Sequence, residues 1–199
     1  MDCKDNLSPQ GQAAQILVDF LEVAITSVIF HKGLYPPGAF ERRKYMNLVV
    51  HKAIHPELQD YIHSSVNGLF PFIKKGVVDR IAVVFFNGDN TPLEQFIFKL
   101  QVNQSYGSNV VETDIGFALR SFILKLSLSK GLTKSLPQDC RWEVIAFFRS
   151  DAQASGVKAA ELWIPTDTKQ WQQPPLITPL KSMNSEPFGL QLYLEHPSV

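Results

Sequence analysis

Three histidines and a glutamate fall close together in the sequence: His51, His55, Glu57 and His63. Imidazole and carboxylate are the groups that zinc takes, and two histidines four apart would share one face of a helix. Pro56 argues against that geometry. Proline favours the first helical position, so a helix opens after His55, and His51 is left outside it. The histidines are therefore read as surface or structural groups. Asp19 and Glu22 lie three apart within an apolar run, a spacing that would suit paired acids in proton transfer. The plainer reading is that such acids face a cleft edge or a cationic partner. Cys3 and Cys140 form neither a CxxC pair nor a metal-ligand spacing, which fits free thiols in a reducing compartment. There is no glycine-rich phosphate loop, no G-x-S-x-G elbow and no HExxH helix. The chain is read as a non-enzyme without metal or cofactor.

Chemistry of recognition is better represented. Arg42, Arg43 and Lys44 form a basic triplet. It fits either contact with nucleic acid or a charged strand edge that blocks edge-to-edge pairing. Nineteen basic and nineteen acidic residues cancel to zero net charge, which favours the edge reading and argues against direct sequence-specific nucleic-acid binding or a membrane surface. Trp163, Trp171, Phe188 and Tyr193 stand in a polar, linker-rich tail. Half-exposed aromatic residues anchor interfaces, or they pin a tail to its own domain. For Trp171 both readings stay open.

These residues need elements to hold them. Residues 12–31 have neither Pro nor Gly and are apolar nearly all round, so they form a helix buried on nearly all sides, stopped by Gly33. Tyr35-Pro36-Pro37-Gly38 is a rigid turn, and 39–51 reads as an edge hairpin or ribbon. A second helix opens at Pro56 with the stripe Leu58, Ile62, Val66, Leu69, Ile73. Pro71 should kink its last turn, and Gly76 should end it. Residues 79–86 and 93–102 form a β-hairpin around Asn87-Gly88-Asp89-Asn90, with Phe96, Phe98, Leu100 and Val102 on one face. A third helix runs from about Val110 to Ser129, then a strand from Arg141 to Arg149. The tail, from Val157 to Glu195, has three strand-like pieces with too little apolar surface to fold alone.

Hydrophobic residues make up 45% and charged residues 19% of 199 residues, as in one core-forming domain. The polar N-terminus shows no secretory signal, and the apolar run 16–30 is short for a span and carries two acids. Cytosol and nucleus both remain open on composition. Helices on one face of an antiparallel sheet make the class α+β.

Six pieces in order then show a resemblance: Phe20-Leu21-Glu22-Val23-Ala24, Tyr35-Pro36-Pro37-Gly38-Ala39-Phe40, His55-Pro56-Glu57-Leu58, Leu119-Arg120-Ser121-Phe122-Ile123-Leu124-Lys125, Pro179-Leu180-Lys181-Ser182-Met183 and Leu190-Gln191-Leu192-Tyr193. Together, over about Gln12 to Glu195, the chain resembles the HORMA-domain family, and within it the non-catalytic HORMA subunits of DNA polymerase zeta. The resemblance implies three helices packed on a mainly antiparallel sheet, with a C-terminal safety belt. Residues 1–11 would be a flexible N-terminus, 12–149 the core, about 150–195 the belt and 196–199 a tail. The implied function is a nuclear adaptor for translesion DNA synthesis. The belt would wrap a Pro-containing peptide of the catalytic subunit of DNA polymerase zeta, with Tyr61, Trp163 and Tyr35 as its contacts. Ile177, Gln191 and Tyr193 would dock the C-terminal domain of a deoxycytidyl-transferase-type translesion polymerase. Arg120 would lie on the face of a HORMA–HORMA dimer. A checkpoint- or meiosis-type HORMA protein, regulating the cell cycle by the same peptide capture, is the alternative. The stretch 150–160 departs most from the family pattern.

Overall fold

The structure is a computed structural model and describes residues 8–108, 110, 112–133, 135–149, 163, 171 and 173–197. Its centre is helix α1, Pro9–Lys32. Ser8 caps it by accepting from the Gly11 amide at 3.2 Å, and Pro9 takes the first helical position. Gly33, at φ 68°, ends it in the left-handed conformation. Leu17, Phe20, Leu21, Ala24, Ile25 and Ile29 are buried on several sides of the helix, as the all-round apolar pattern predicts. The buried hydroxyls of Thr26 and Ser27 donate back to the carbonyls of Glu22 and Val23. By length and composition α1 could cross a membrane, but 67% of its most apolar window lies buried within the protein.

Strands β1 (Phe40–Tyr45) and β2 (Leu48–Ala53) make a separate two-stranded ribbon on α1. Met46 and Asn47 both have positive φ, the signature of a two-residue type I′ turn. Helix α2 (Pro56–Gly68) follows, then the short α3 (Phe70–Lys74). Here the structure corrects the expected single kinked helix. Pro71 falls in the first turn of α3, where its missing N–H costs nothing, so the chain breaks at Leu69 and restarts. The predicted stripe from Leu58 to Ile73 is nonetheless buried throughout.

The main sheet has β3 (Val78–Phe86), β4 (Pro92–Val102), β5 (Arg141–Phe148), β6 (Leu176–Asn184) and β7 (Phe188–His196). Its order is β5-β3-β4-β7-β6, with every described pairing antiparallel. Among the described residues β6 ends the sheet, a place where Pro179 is tolerated, and a register shift follows it. Helix α4 (Glu112–Leu128) packs beside α1, where Phe20 meets Phe122 edge-on at 5.9 Å.

The inner face of the sheet carries Ile81, Val83, Phe85, Phe96, Phe98, Leu190 and Leu192 into the helical core. The outer face is not purely polar. Ala82, Val84, Phe86, Ile97 and Ile145 form a second, smaller buried cluster there. One ion pair is buried at the end of α1: Lys32 reaches Glu94 at 2.6 Å, with side chains 4% and 6% exposed. Burial raises the Glu94 pKa, and the hydrogen bond and charge of Lys32 oppose it.

Candidate peptide-binding and docking surfaces

Among the described residues β5 ends the sheet, pairing with β3 alone. In an antiparallel strand, alternate residues turn their N–H and C=O to opposite sides. The Arg149 amide donates toward β3, to the Val77 carbonyl at 2.9 Å. The Val144 amide points the other way and donates to the Tyr61 hydroxyl at 3.1 Å. Trp142, Val144 and Ala146 thus direct their backbone groups outward while their side chains face the helices.

Trp142 is the hinge of an aromatic group. Its indole N–H donates to the Tyr35 hydroxyl at 3.1 Å, and its ring meets Tyr61 edge-on at 5.2 Å. Tyr35 comes from the turn after α1, Tyr61 from the first half of α2. Together with His55, Glu57 and Leu58 they line a cavity of about 180 Å³. Burial raises the Tyr61 pKa, so the phenol stays neutral and keeps both its donor and its acceptor. An open edge strand beside an aromatic cavity can take an added strand and hold one of its side chains.

A second surface lies on the outer sheet face. Directly paired residues share a face, and the register sets Ile177 opposite Glu195 and Pro179 opposite Tyr193. Gln191, Tyr193 and Glu195 alternate onto that face of β7. Ile177 is 59% exposed, while Tyr193 packs on the smaller cluster. Burial raises the Tyr193 pKa, opposed by a hydrogen bond from Arg80. Trp171 donates from its indole to Glu195 at 3.3 Å, so it is tied to this face. With Arg80, Phe86, Ile97, Ile145 and Pro175 it bounds a cavity of about 440 Å³.

The profile of the HORMA domain matches residues 13–154. This chain belongs to the HORMA-domain family. The HORMA chain is 60% identical over its full 199 residues to the DNA polymerase zeta processivity subunit of Arabidopsis thaliana, covering 92% of that protein. It is 31% identical over 189 residues to the mitotic spindle assembly checkpoint protein MAD2B of Homo sapiens, spanning 92% of this chain and 90% of that one. Its fold is shared by a chain of the mitotic checkpoint complex, at TM-score 0.79 and 18% identity over 97% of this chain and 98% of that one. It is shared too by Caenorhabditis elegans HTP-2 bound to a HIM-3 closure motif, at TM-score 0.77 and 11% identity over 96% and 93%.

The residues expected from the HORMA resemblance fall in four places. Tyr35 and Tyr61 meet at Trp142. Ile177, Gln191 and Tyr193 share the outer face. Trp163 is half-buried against the main core, and the rest of the expected belt from 150 to 170 lies outside the described residues. Arg120 sits half-buried on α4, whose solvent side shows Phe117 at 71% and Leu128 at 74% exposure. Asp19 and Glu22 have separate partners: Asp19 accepts from Gln15 at 2.8 Å and Glu22 meets His63 at 3.0 Å. His51 is on β2 and His55 precedes α2, and among the described residues no group of three or more ligands could hold a metal.

Trp142 is the residue that sequence reasoning missed. Its alternation with Val144 and Ala146 marks it as inward-facing and says nothing more. The available signal is chemical: an indole N–H turned toward a core needs an acceptor, and a core of Leu, Ile and Phe supplies none.

Proposed function

We propose that the chain is the non-catalytic processivity subunit of a DNA polymerase zeta, acting in the nucleus as an adaptor. It captures a Pro-containing peptide of the catalytic subunit at β5 and docks a second translesion polymerase on the outer face of β6 and β7. The observation that carries this reading is the meeting of Tyr35, Tyr61 and Trp142 beside the outward amides of β5. The 60% identity to the Arabidopsis processivity subunit supports the assignment to the polymerase.

The work is mechanical. An extended peptide adds to β5 through main-chain hydrogen bonds, and a proline or aliphatic side chain enters the aromatic cavity. The belt that carries Trp163 closes over the peptide. Release then waits for the belt to open, so the complex dissociates slowly for its area. Holding a second polymerase at Ile177, Gln191 and Tyr193 raises its effective concentration near the first. Arg120 and the apolar side of α4 serve a HORMA–HORMA dimer.

The alternative is a checkpoint- or meiosis-type adaptor using the same site, supported by the 31% identity to a spindle assembly checkpoint protein. Affinity capture with the full chain, followed by mapping of the bound peptide, separates the two. Recovery of a polymerase catalytic subunit supports the first reading. Recovery of a checkpoint activator without any polymerase subunit overturns it.

A further inference from the structure

Five basic side chains gather where the β1–β2 ribbon and the C-terminal ends of α1 and α4 meet. His51 lies flat on Phe30, with ring centroids 3.5 Å apart and planes 11° from parallel. His31, the next residue of α1, reaches Ser127 of α4 at 3.3 Å. Lys130 follows in the 3-10 turn Ser129–Leu132. Arg42 sits directly opposite His51 in the ribbon, and Lys44 opposite the exposed Val49. Lys44, Arg42, His51, His31 and Lys130 therefore follow one another as a strip.

The strip is a local excess of positive charge on a protein with none overall. Burial, then His51 and Lys130, hold the His31 pKa down, and burial and Arg42 do the same to His51. Arg43 is different. Alternation turns it to the opposite face of the ribbon, where it pairs with Glu41 at 2.7 Å. Among the described residues, no carboxylate lies within ion-pair distance of Arg42, Lys44 or Lys130. Edge protection explains Arg43. It does not explain why His31 of α1 and Lys130, in the turn after α4, converge on the Arg42 side.

Three separate cations, Lys44 and Arg42 along β1 and Lys130 beyond the two imidazoles, match a polymer that repeats its charge. A compact anion would need convergent donors. The His51 ring adds a flat surface, braced from behind by Phe30. We infer that this strip binds the sugar–phosphate backbone of a single-stranded nucleic acid, with a base stacked on the outward face of His51. Cations tracking the backbone and rings receiving bases are the two parts of sequence-independent single-strand binding. The contacts are to phosphate, so they position the strand without reading its sequence.

The test is fluorescence anisotropy of a labelled oligo-deoxythymidine with the full chain at rising salt. Three lysine and arginine contacts predict that log affinity falls against log salt with a slope of about −2, at about 0.7 per contact. Replacing Arg42, Lys44 and Lys130 together by alanine removes that slope and weakens binding about tenfold or more. His51→Ala weakens binding about tenfold at unchanged slope, because a stacked base and not an ion pair is lost. Arg43→Ala leaves both affinity and slope unchanged. Should the triple variant melt early, Arg42→Ala and Lys130→Ala read the same effect singly, each lowering the slope by about 0.7. The inference is overturned if these variants bind as the parent does. It is also overturned if polyglutamate competes as well as unlabelled oligonucleotide at equal charge, which would assign the strip to an acidic peptide.

Discussion

The indole of Trp142 donates to the hydroxyl of Tyr35 at 3.1 Å, joining residues 107 apart in sequence. The terminal strand is thereby tied to the turn that follows α1. Tyr35→Phe keeps the ring and removes the acceptor. A half-buried donor loses its partner, at a cost of about 1 kcal/mol. Urea denaturation reads this as a lower midpoint at unchanged slope. An unchanged midpoint would mean that water replaces the tyrosine without penalty.

Tyr61 has two separable parts. Its ring walls the cavity against Trp142, and its hydroxyl accepts the outward amide of Val144. Tyr61→Ala should weaken peptide capture by about 2 kcal/mol, as a truncated aromatic anchor does. Tyr61→Phe keeps the cavity wall and frees the Val144 amide for a peptide carbonyl, so capture should change by less than about 1 kcal/mol. Trp163→Ala should act on a different step, raising the peptide dissociation rate with little change in association. Surface plasmon resonance separates these effects, and an unaltered dissociation rate for Trp163→Ala would remove it from the clamp.

Tyr193 stands on the opposite face of the sheet from the aromatic cavity. Tyr193→Ala should weaken docking of the second polymerase about tenfold while leaving peptide capture nearly intact. Gln191→Ala and Ile177→Ala should follow the same division more weakly. Titration calorimetry with each partner checks this. Equal loss of both partners would show that Tyr193 only supports the fold.

Lys32 and Glu94 form a buried ion pair at 2.6 Å. Lys32→Met strands a buried carboxylate, at a cost of about 3–5 kcal/mol, and adding Glu94→Leu should restore much of it. The pH dependence carries a definite sign. The folded pKa of Glu94 is raised, so its contribution is full below the ordinary carboxylate value of 4.5 and is lost as pH rises through the raised one. Thermal melts should therefore show the parent losing stability relative to Glu94→Gln as pH climbs through that window. The opposite slope would mean that Lys32 outweighs burial.

What could be read from residues alone follows from how local the signal is. The all-round apolar pattern of α1 states its burial, and the alternation of Phe96, Phe98 and Leu100 states which face of β4 meets the helices. Pro71 was legible as a breaker, but choosing between a kink and a restart depends on whether Leu69 is anchored in the core, a tertiary fact. The second cluster escaped for a similar reason: Ala82, Val84 and Ile97 look like the continuation of buried strands, and only the register stacks them with Ile145. Tyr35 and Tyr61 came from family resemblance. Trp142, which joins them, was hidden because its partners lie far away in the chain.

The place of β7 in the sheet also bears on how the protein is made. This strand pairs on both sides, with β4 and β6. β4 ends at Val102, yet the neighbour it requires begins at Phe188. On the ribosome, the β3–β4 hairpin emerges well before that neighbour exists, leaving a long edge with unmade hydrogen bonds. Non-local pairing of this kind is slow to form. The sheet can close only after the whole intervening chain has been synthesised, so the nascent protein is most exposed to aggregation in that interval and has most need of a chaperone then.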